Sequence, residues 1–179
     1  MWKRLAILTL VVIAIVFVAC QQEETQEEVV NIRKAELSVS SPAFDDRGVI
    51  PAKYTCQGED INPRLKIGDV PDEAKSLVLI VTDPDAPMGE WVHWVVWNID
   101  ISGNIDEGSV PGMQGKNDFG KMDYGGPCPP SGTHRYFFKA YALDKELDLE
   151  EGASKEEVEN KMFDHVIAHG ELYGLYKKS

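Results

Sequence analysis

The chain has 179 residues, and 43% of them are hydrophobic, which is enough for one core of ordinary domain size. A formal net charge of −12 argues against general binding to nucleic acid or to an anionic membrane, so an anionic ligand would need a local pocket. The 15 glycines and 10 prolines favour a β-rich fold with many turns over a helix bundle.

Residues 1–20 predict a leader that is separate from the folded domain. A short positive start precedes an uninterrupted apolar run at 5–19, which fits a signal-peptide core better than a membrane span of roughly 17–25 residues. Ala19 before Cys20 resembles a lipoprotein cleavage box with Cys20 as the lipidated residue, although Phe17 stands where leucine is usual. A lipoprotein, an uncleaved anchor and plain secretion stay open, and each places the domain outside the cytoplasm.

Residues 21–34 predict a solvated acidic tether, because they begin with QQEETQEE and contain no aromatic side chain. The folded domain is expected over residues 35–179, without an internal repeat or a second linker. It contains Cys56 and Cys128, which could form a disulfide in an oxidising compartment. The sequence does not show that they meet, so two buried thiols are the default expectation.

Strand patterns dominate the domain. Three apolar runs rich in branched and aromatic residues predict long strands at 76–82, Trp91–Ile99 and His134–Leu143. Shorter strands are expected at 37–40, 50–54 and 65–67. The proline-rich stretches between the long runs predict turns, because proline lacks the N–H group that a central strand needs.

One helix is predicted near the end of the chain. Ser154 and Glu157 form the pattern of a capping box. Apolar side chains then recur with helical spacing at Val158, Met162, Phe163, Val166 and Ile167. Gly170 is the expected stop. The sequence therefore predicts a mainly β fold with a C-terminal helix packed on the sheets.

Polar residues at the ends of these strands are the candidates for chemistry. Asp83 and Asp85 follow a buried strand, where a carboxylate either faces a site or starts a turn. Strict alternation places His93 on one strand face with Val95 and Trp97, where most histidines are hydrogen-bonded core residues.

The strand that begins at His134 carries a second polar group. His134 and Tyr136 point to one face, whereas Arg135 points to the other and is expected to lock a loop or to pair with an acid. His165 and His169 have a spacing that can hold a metal on a helix, but no glutamate completes such a motif. We therefore predict no metal site.

Together these segments resemble the phosphatidylethanolamine-binding protein (PEBP) family, which includes Raf kinase inhibitor protein and the plant flowering regulators. The resemblance rests on DPDAP at 83–87, WVHW at 91–94 and GPCPPSGTHRY at 126–136. The segment YTCQGEDINP at 54–63 is similar to the bacterial and archaeal, Raf kinase inhibitor-like branch, and the closing GELYGLY at 170–176 is similar too.

That resemblance implies an antiparallel β-sheet packed on a second, smaller one, with a surface cavity that holds a phosphate or a similar anion. The residues expected to bind it are Asp83, Asp85, Pro87, His93, Gly126, Pro127, His134 and Tyr136. The imidazoles, the phenol and the backbone N–H groups of the glycine loop would donate to the anion. Asp83 would orient a histidine, keep it charged or accept an ammonium group. A cis peptide bond before Pro87 is also implied.

The favoured function is a non-enzymatic, extracytoplasmic protein that binds phospholipid headgroups or other small anions, with no cofactor and no nucleic-acid partner. The alternative is a regulator of a protein partner, such as a serine protease inhibitor or a ligand of an envelope protein. In either case the leader would supply the membrane contact. Catalysis is disfavoured, because no nucleophile motif accompanies Ser131 and His134.

Overall fold

The structure is a computed structural model that describes residues 35–179, and within this range it contains two β-sheets, one α-helix and two short 3-10 turns. The leader at 1–20 and the tether at 21–34 lie outside the described residues. None of the helices in the described range is long and apolar enough to cross a membrane.

The larger sheet has six strands in the order β1-β9-β8-β4-β5-β7. Their bounds are Ala35–Glu36 (β1), Ser76–Asp83 (β4), Trp91–Ile99 (β5), Met113–Gln114 (β7), His134–Leu143 (β8) and Val166–Tyr176 (β9). Neighbouring strands are antiparallel, except that β1 runs parallel to β9. Every residue of β4 is buried, as expected for a continuous apolar run at the centre of a sheet.

The smaller sheet consists of three antiparallel strands, Ser38–Ser40 (β2), Leu65–Gly68 (β3) and Asn104–Ile105 (β6). It packs on one face of the larger sheet. Leu65, Ile67 and Ile105 from the small sheet share a buried cluster with Val81 and Phe138 from the large one. The predicted arrangement of two antiparallel sheets packed face to face is therefore confirmed.

The opposite face of the large sheet is covered in part by a helix, Lys155–Met162 (α1). Val158 and Met162 of this helix pack against Ile80, Val95 and Trp97 of the sheet. The capping box predicted at the helix start is present, with both reciprocal hydrogen bonds formed.

The predicted helix is too long. It ends at Met162, a 3-10 turn at Phe163–His165 follows, and Val166–Tyr176 forms the longest strand of the fold. Backbone pairing with β8 along this whole segment outweighs the helical spacing of its apolar residues. Gly170 is not a helix stop but a point of close approach, since a Cβ there would lie 2.0 Å from the backbone oxygen of Leu37.

Most of the predicted strands are confirmed, including the three long ones and the short ones near 37–40 and 65–67. The strand predicted at 50–54 is wrong, because Ala52–Tyr54 is a 3-10 turn. Its first hydrogen bond runs from the Tyr54 N–H group to the Pro51 carbonyl, and proline fixes the backbone angle at which such a turn begins.

Candidate functional site

A surface cavity of about 320 Å³ opens at one end of the large sheet. Because β5 and β8 run antiparallel to β4, the end of β4 meets the starts of β5 and β8 at this place. The cavity is lined by Asp83, Ala86, Pro87, Met88, Trp91, His93, Phe119, Cys128, Pro129 and Pro130. It therefore has a carboxylate and an imidazole among walls that are otherwise mostly apolar.

Asp83 and His134 form a buried pair beside the cavity. The carboxylate oxygen Oδ2 of Asp83 lies 2.7 Å from Nδ1 of His134, and its Oδ1 accepts a hydrogen bond of 2.8 Å from the Asp85 N–H group. Asp83 is only 4% exposed and His134 only 7%. Both carboxylate oxygens are thus engaged, and the bond to Asp83 leaves Nε2 as the unengaged nitrogen of His134.

A β-bulge sets the direction of His93 in β5. Val81 of β4 pairs with Trp94, but the next residue, Thr82, pairs with Val92, so His93 is the extra residue between two pairs. A bulge of this kind locally breaks the alternation of side chains between the two faces of a strand. The sequence carries no pattern that marks its position.

The bulge places the His93 side chain on the same face of the sheet as Tyr136 of β8. Its ring packs edge-on against Tyr136, with 5.2 Å between the ring centroids. Val95 and Trp97 instead belong to the core cluster beneath the helix. The expectation that His93 shares a face with these two residues is therefore wrong.

The hydrogen bonding of His93 fixes what this ring offers to a ligand. Its Nδ1 contacts the carbonyl oxygen of Gly125, which can only accept, so Nδ1 carries the hydrogen. Burial lowers the pKa of His93, against the smaller opposing effect of the Gly125 carbonyl. A neutral His93 therefore presents an acceptor at Nε2, and it becomes a donor there only when it gains a proton.

Tyr136 lies behind the cavity rather than on its wall. It is 0% exposed, and among the described residues no group meets hydrogen-bond geometry with its hydroxyl, although the Asp83 carboxylate and the Cys128 backbone lie close to it. Burial and the nearby charge of Asp83 raise the pKa of this phenol. The ring stacks on His134 at 6.5 Å between centroids, so Asp83, His93, His134 and Tyr136 form one contiguous group.

The Gly126–Pro127 segment lies outside the cavity wall and offers no free donor there. The N–H group of Gly126 already donates to Asp60 at 2.7 Å, and proline has no N–H group. The wall is formed by the residues that follow, Cys128, Pro129 and Pro130.

Asp85 is used to hold the loop between β4 and β5. Its carboxylate accepts a bond of 2.6 Å from Nη2 of Arg135 and one of 2.9 Å from Nε. These bonds lower the pKa of Asp85 to about 2. Arg135 locks a loop as expected, and the Asp85 carboxylate does not line the cavity. Pro87 does line it, but the peptide bond before it is trans, so the expected cis bond is wrong.

A disulfide joins Cys56 to Cys128, with 5.5 Å between the Cα atoms. The default expectation of two buried thiols is therefore wrong. The backbone of the two segments is also joined, because the Cys56 N–H group donates to the Pro127 carbonyl oxygen. Since Cys128 lines the cavity, the bond ties one of its walls to the segment around residue 56.

Sequence reasoning missed the aromatic walls of the cavity. Phe119 contacts Trp91 and His93 edge-on, at 5.5 and 5.3 Å between centroids. Asn117 positions this loop, because its side chain is buried and donates to backbone carbonyls, including that of His93 at 3.3 Å. An aromatic side chain within the polar, glycine-containing stretch at 115–126 was the one available signal.

These features define a class of protein with two antiparallel sheets and a small histidine–aspartate cavity at the end of the central strand. The model of the phosphatidylethanolamine-binding protein family matches residues 40–177. A UPF0098 protein of Methanothermobacter thermautotrophicus is 53% identical over 150 residues, which are 79% of this chain and 99% of that protein. The chain belongs to the phosphatidylethanolamine-binding protein family.

The solved structures that are similar to this chain include two described as homologues or members of this family. A putative phosphatidylethanolamine-binding protein homologue of Chlamydia trachomatis is 47% identical with a TM-score of 0.78, covering 80% of this chain and 99% of that one. YbcL of Escherichia coli, described as a member of the mammalian PEBP family, is 30% identical with a TM-score of 0.74, covering 81% and 100%. None of these names states a reaction.

Proposed function

We propose that this protein is a non-enzymatic binding protein for a small anion, such as phosphate or a phosphorylated lipid headgroup. The observation that carries the proposal is that His93 and His134 both pack against Tyr136 beside an open cavity. Both rings engage Nδ1 with the protein, so both keep Nε2 for a ligand. A donor at Nε2 of each ring would then hold the anion.

Local protonation would compensate for the acidic surface of this chain. With a net charge of −12 the protein repels anions at long range, and Asp83 adds a negative charge at the site itself. A proton gained at His93 supplies both a positive charge and the missing donor. Anion binding and proton uptake are therefore coupled, and binding strengthens as the pH falls.

Calorimetry at several pH values tests this coupling. Sulfate is the first probe because its charge stays constant between about pH 5 and 8, where imidazoles titrate. We expect affinity to rise by up to about tenfold per unit of decreasing pH for each proton taken up. The His93→Asn variant, whose amide can still donate to Gly125, should take up one proton fewer on binding. The dependence of its sulfate affinity on pH should be weaker by that amount.

Substitution of His134 provides the second arm of the experiment. Phosphate, sulfate and phosphoethanolamine should all lose binding in His134→Ala and keep it in His169→Ala, which removes an exposed histidine instead. Absence of heat with every anion, or equal binding by His134→Ala, contradicts the proposal. Turnover of a phosphoester in the cavity would contradict its non-enzymatic part.

An extracytoplasmic location completes the proposal. The leader pattern at 1–20 supports it, and so does the Cys56–Cys128 disulfide, because disulfides generally persist in oxidising compartments. Membrane attachment would follow from lipidation at Cys20. Mass spectrometry of the membrane fraction tests this point, and an intact, unmodified segment 1–20 would contradict lipidation.

A second candidate function is regulation of a protein partner, such as a serine protease. It is favoured by the exposed apolar rim of the cavity, where Met88 is 93% and Phe119 43% exposed. An inhibition assay against a panel of serine proteases tests it, with Met88→Ser as the variant expected to weaken inhibition. Lack of inhibition at micromolar protein would remove this candidate.

A further inference from the structure

Nothing within residues 35–179 covers the other half of the large-sheet face that carries α1. Tyr141 of β8, His169 of β9 and Glu36 of β1 form one row across three neighbouring strands. Lys139 and Glu171 form the next row. These side chains, with Leu37 and Gly170, line a hollow of about 570 Å³.

A second hollow of about 560 Å³ continues from the first, because Tyr141 and His169 line both. It extends to the end of α1 and the turn that follows. Its other lining residues are Glu159, Met162, Phe163, Asp164 and Val166. We name the two hollows together the outer groove.

The outer groove is negatively charged. Glu36, Asp164 and Glu171 have no ion-pair partner among residues 35–179. Among the lining residues of both hollows Lys139 is the one lysine or arginine, and it pairs with Glu90 at 3.0 Å. Burial and the carboxylates nearby, Glu159 first among them, raise the pKa of the Tyr141 phenol, as expected in a negative potential.

The groove also has an apolar part that the fold does not cover. Phe163 is 76% exposed at the end of α1, although its sequence position matched the apolar stripe of a helix. Tyr141 forms a half-buried floor next to it. Phe163, Tyr141, Met162 and Val166 therefore form one contiguous apolar lining of the hollow, rather than a single exposed side chain.

We propose that the outer groove docks a segment of a protein partner in which lysine or arginine side chains flank a large apolar side chain. The basic groups would pair with Glu36, Asp164 and Glu171, and the apolar group would lie between Phe163 and Tyr141. Charge complementarity selects this occupant, because a carboxylate-lined groove repels nucleic acid and anionic lipid. The groove is separate from the anion cavity, so this inference goes beyond the function proposed above.

Fluorescence anisotropy of a labelled hexapeptide of alternating lysine and leucine, titrated with the full chain, tests the proposal. We expect saturable binding that weakens with salt, as ion pairing at an exposed surface does. Phe163→Ser should weaken it about tenfold, the effect of losing an apolar anchor. The double variant Glu36→Gln with Glu171→Gln should weaken it about fivefold.

Controls separate the groove from general charge attraction. The double variant Glu146→Gln with Glu151→Gln removes the same charge from exposed positions outside the groove, and it should bind the peptide like the wild type. A peptide of alternating lysine and serine should bind much more weakly. Equal weakening by the two double variants, equal binding of the lysine–serine peptide, or undiminished binding by Phe163→Ser overturns the proposal.

The same variants keep the two sites distinguishable. His134→Ala should bind the lysine–leucine peptide normally, and Glu36→Gln with Glu171→Gln should bind sulfate normally. Loss of peptide binding in His134→Ala would place the peptide in the anion cavity and overturn the separate groove. Spermine that displaces the peptide at equal concentration would show a polyamine site instead of a docking surface.

Discussion

The buried hydroxyl of Tyr136 predicts that one substitution raises stability and leaves anion binding unchanged. Its oxygen is inaccessible to solvent and has no hydrogen-bond partner among the described residues. Tyr136→Phe removes only this hydroxyl and keeps the ring against which His93 and His134 pack. The substitution therefore leaves the packing of the three rings in place.

The expected change in the free energy of unfolding follows from the burial of this hydroxyl in the folded protein. A buried polar group without a partner costs about 1–3 kcal/mol. Phenylalanine fills nearly the same volume, so the small void it leaves offsets part of the gain. We expect Tyr136→Phe to raise the free energy of unfolding by about 1 kcal/mol. Sulfate affinity should stay unchanged, because this hydroxyl lies behind the cavity and does not reach the anion.

Urea unfolding and calorimetry measure the two effects. Tyr124→Phe is the matched control, because this tyrosine is also buried but its hydroxyl donates to the Tyr54 carbonyl oxygen at 3.1 Å. The control should lose about 1 kcal/mol of stability and leave sulfate binding unchanged. If Tyr136→Phe destabilises as much as Tyr124→Phe, the Tyr136 hydroxyl has a partner in the folded protein and the reasoning fails. A roughly fivefold loss of sulfate affinity in Tyr136→Phe would show that the hydroxyl reaches the anion after all.

Three further predictions concern the surroundings of the cavity. Replacing both disulfide cysteines by serine should cost about 4 kcal/mol, since the bond closes a separation of 72 residues, and a loss below about 1 kcal/mol in urea unfolding would contradict this. Glu90 is partly buried, which opposes ionisation, but bonds from Lys155 and Lys139 lower its pKa to about 2. The contribution of the ionised Glu90 carboxylate to stability is therefore complete above about pH 4.5 and is lost as the pH falls toward 2. In urea titrations, Glu90→Gln should therefore destabilise the protein by about 1 kcal/mol at pH 7 and by nothing near pH 2. Arg135→Leu should free the loop held through Asp85 and weaken sulfate binding severalfold with little change in thermal midpoint, whereas unaltered binding would show that the loop needs no such lock.

The sequence predicts the centre of this fold well because burial dominates there. β4, β5 and β8 are continuous apolar runs, and a run of that kind has few alternatives to a central strand. β9 was missed for the opposite reason. Its two glycines and the apolar spacing that continues from α1 favour other structures, and only pairing with β8 makes it a strand.

The sequence predicts which residues belong to the candidate site, but it does not predict how their side chains are arranged. Asp83, His93 and His134 stand at strand ends, and three segments in order identified them through family resemblance. What each side chain does depends on contacts between distant residues. The bond of His93 to Gly125 and that of Asp85 to Arg135 decide which groups remain free for a ligand, and no local pattern encodes them.

The bulge in β5 gives one strand two independent tasks. Trp94 and the residues after it alternate between the two cores, so their replacement changes stability first. Trp91 and His93, which precede Trp94 in the strand, line the cavity. Substitutions at the start of this strand can therefore change ligand preference while the residues from Trp94 onward preserve the fold. Selection for ligand binding and selection for stability then act on different residues.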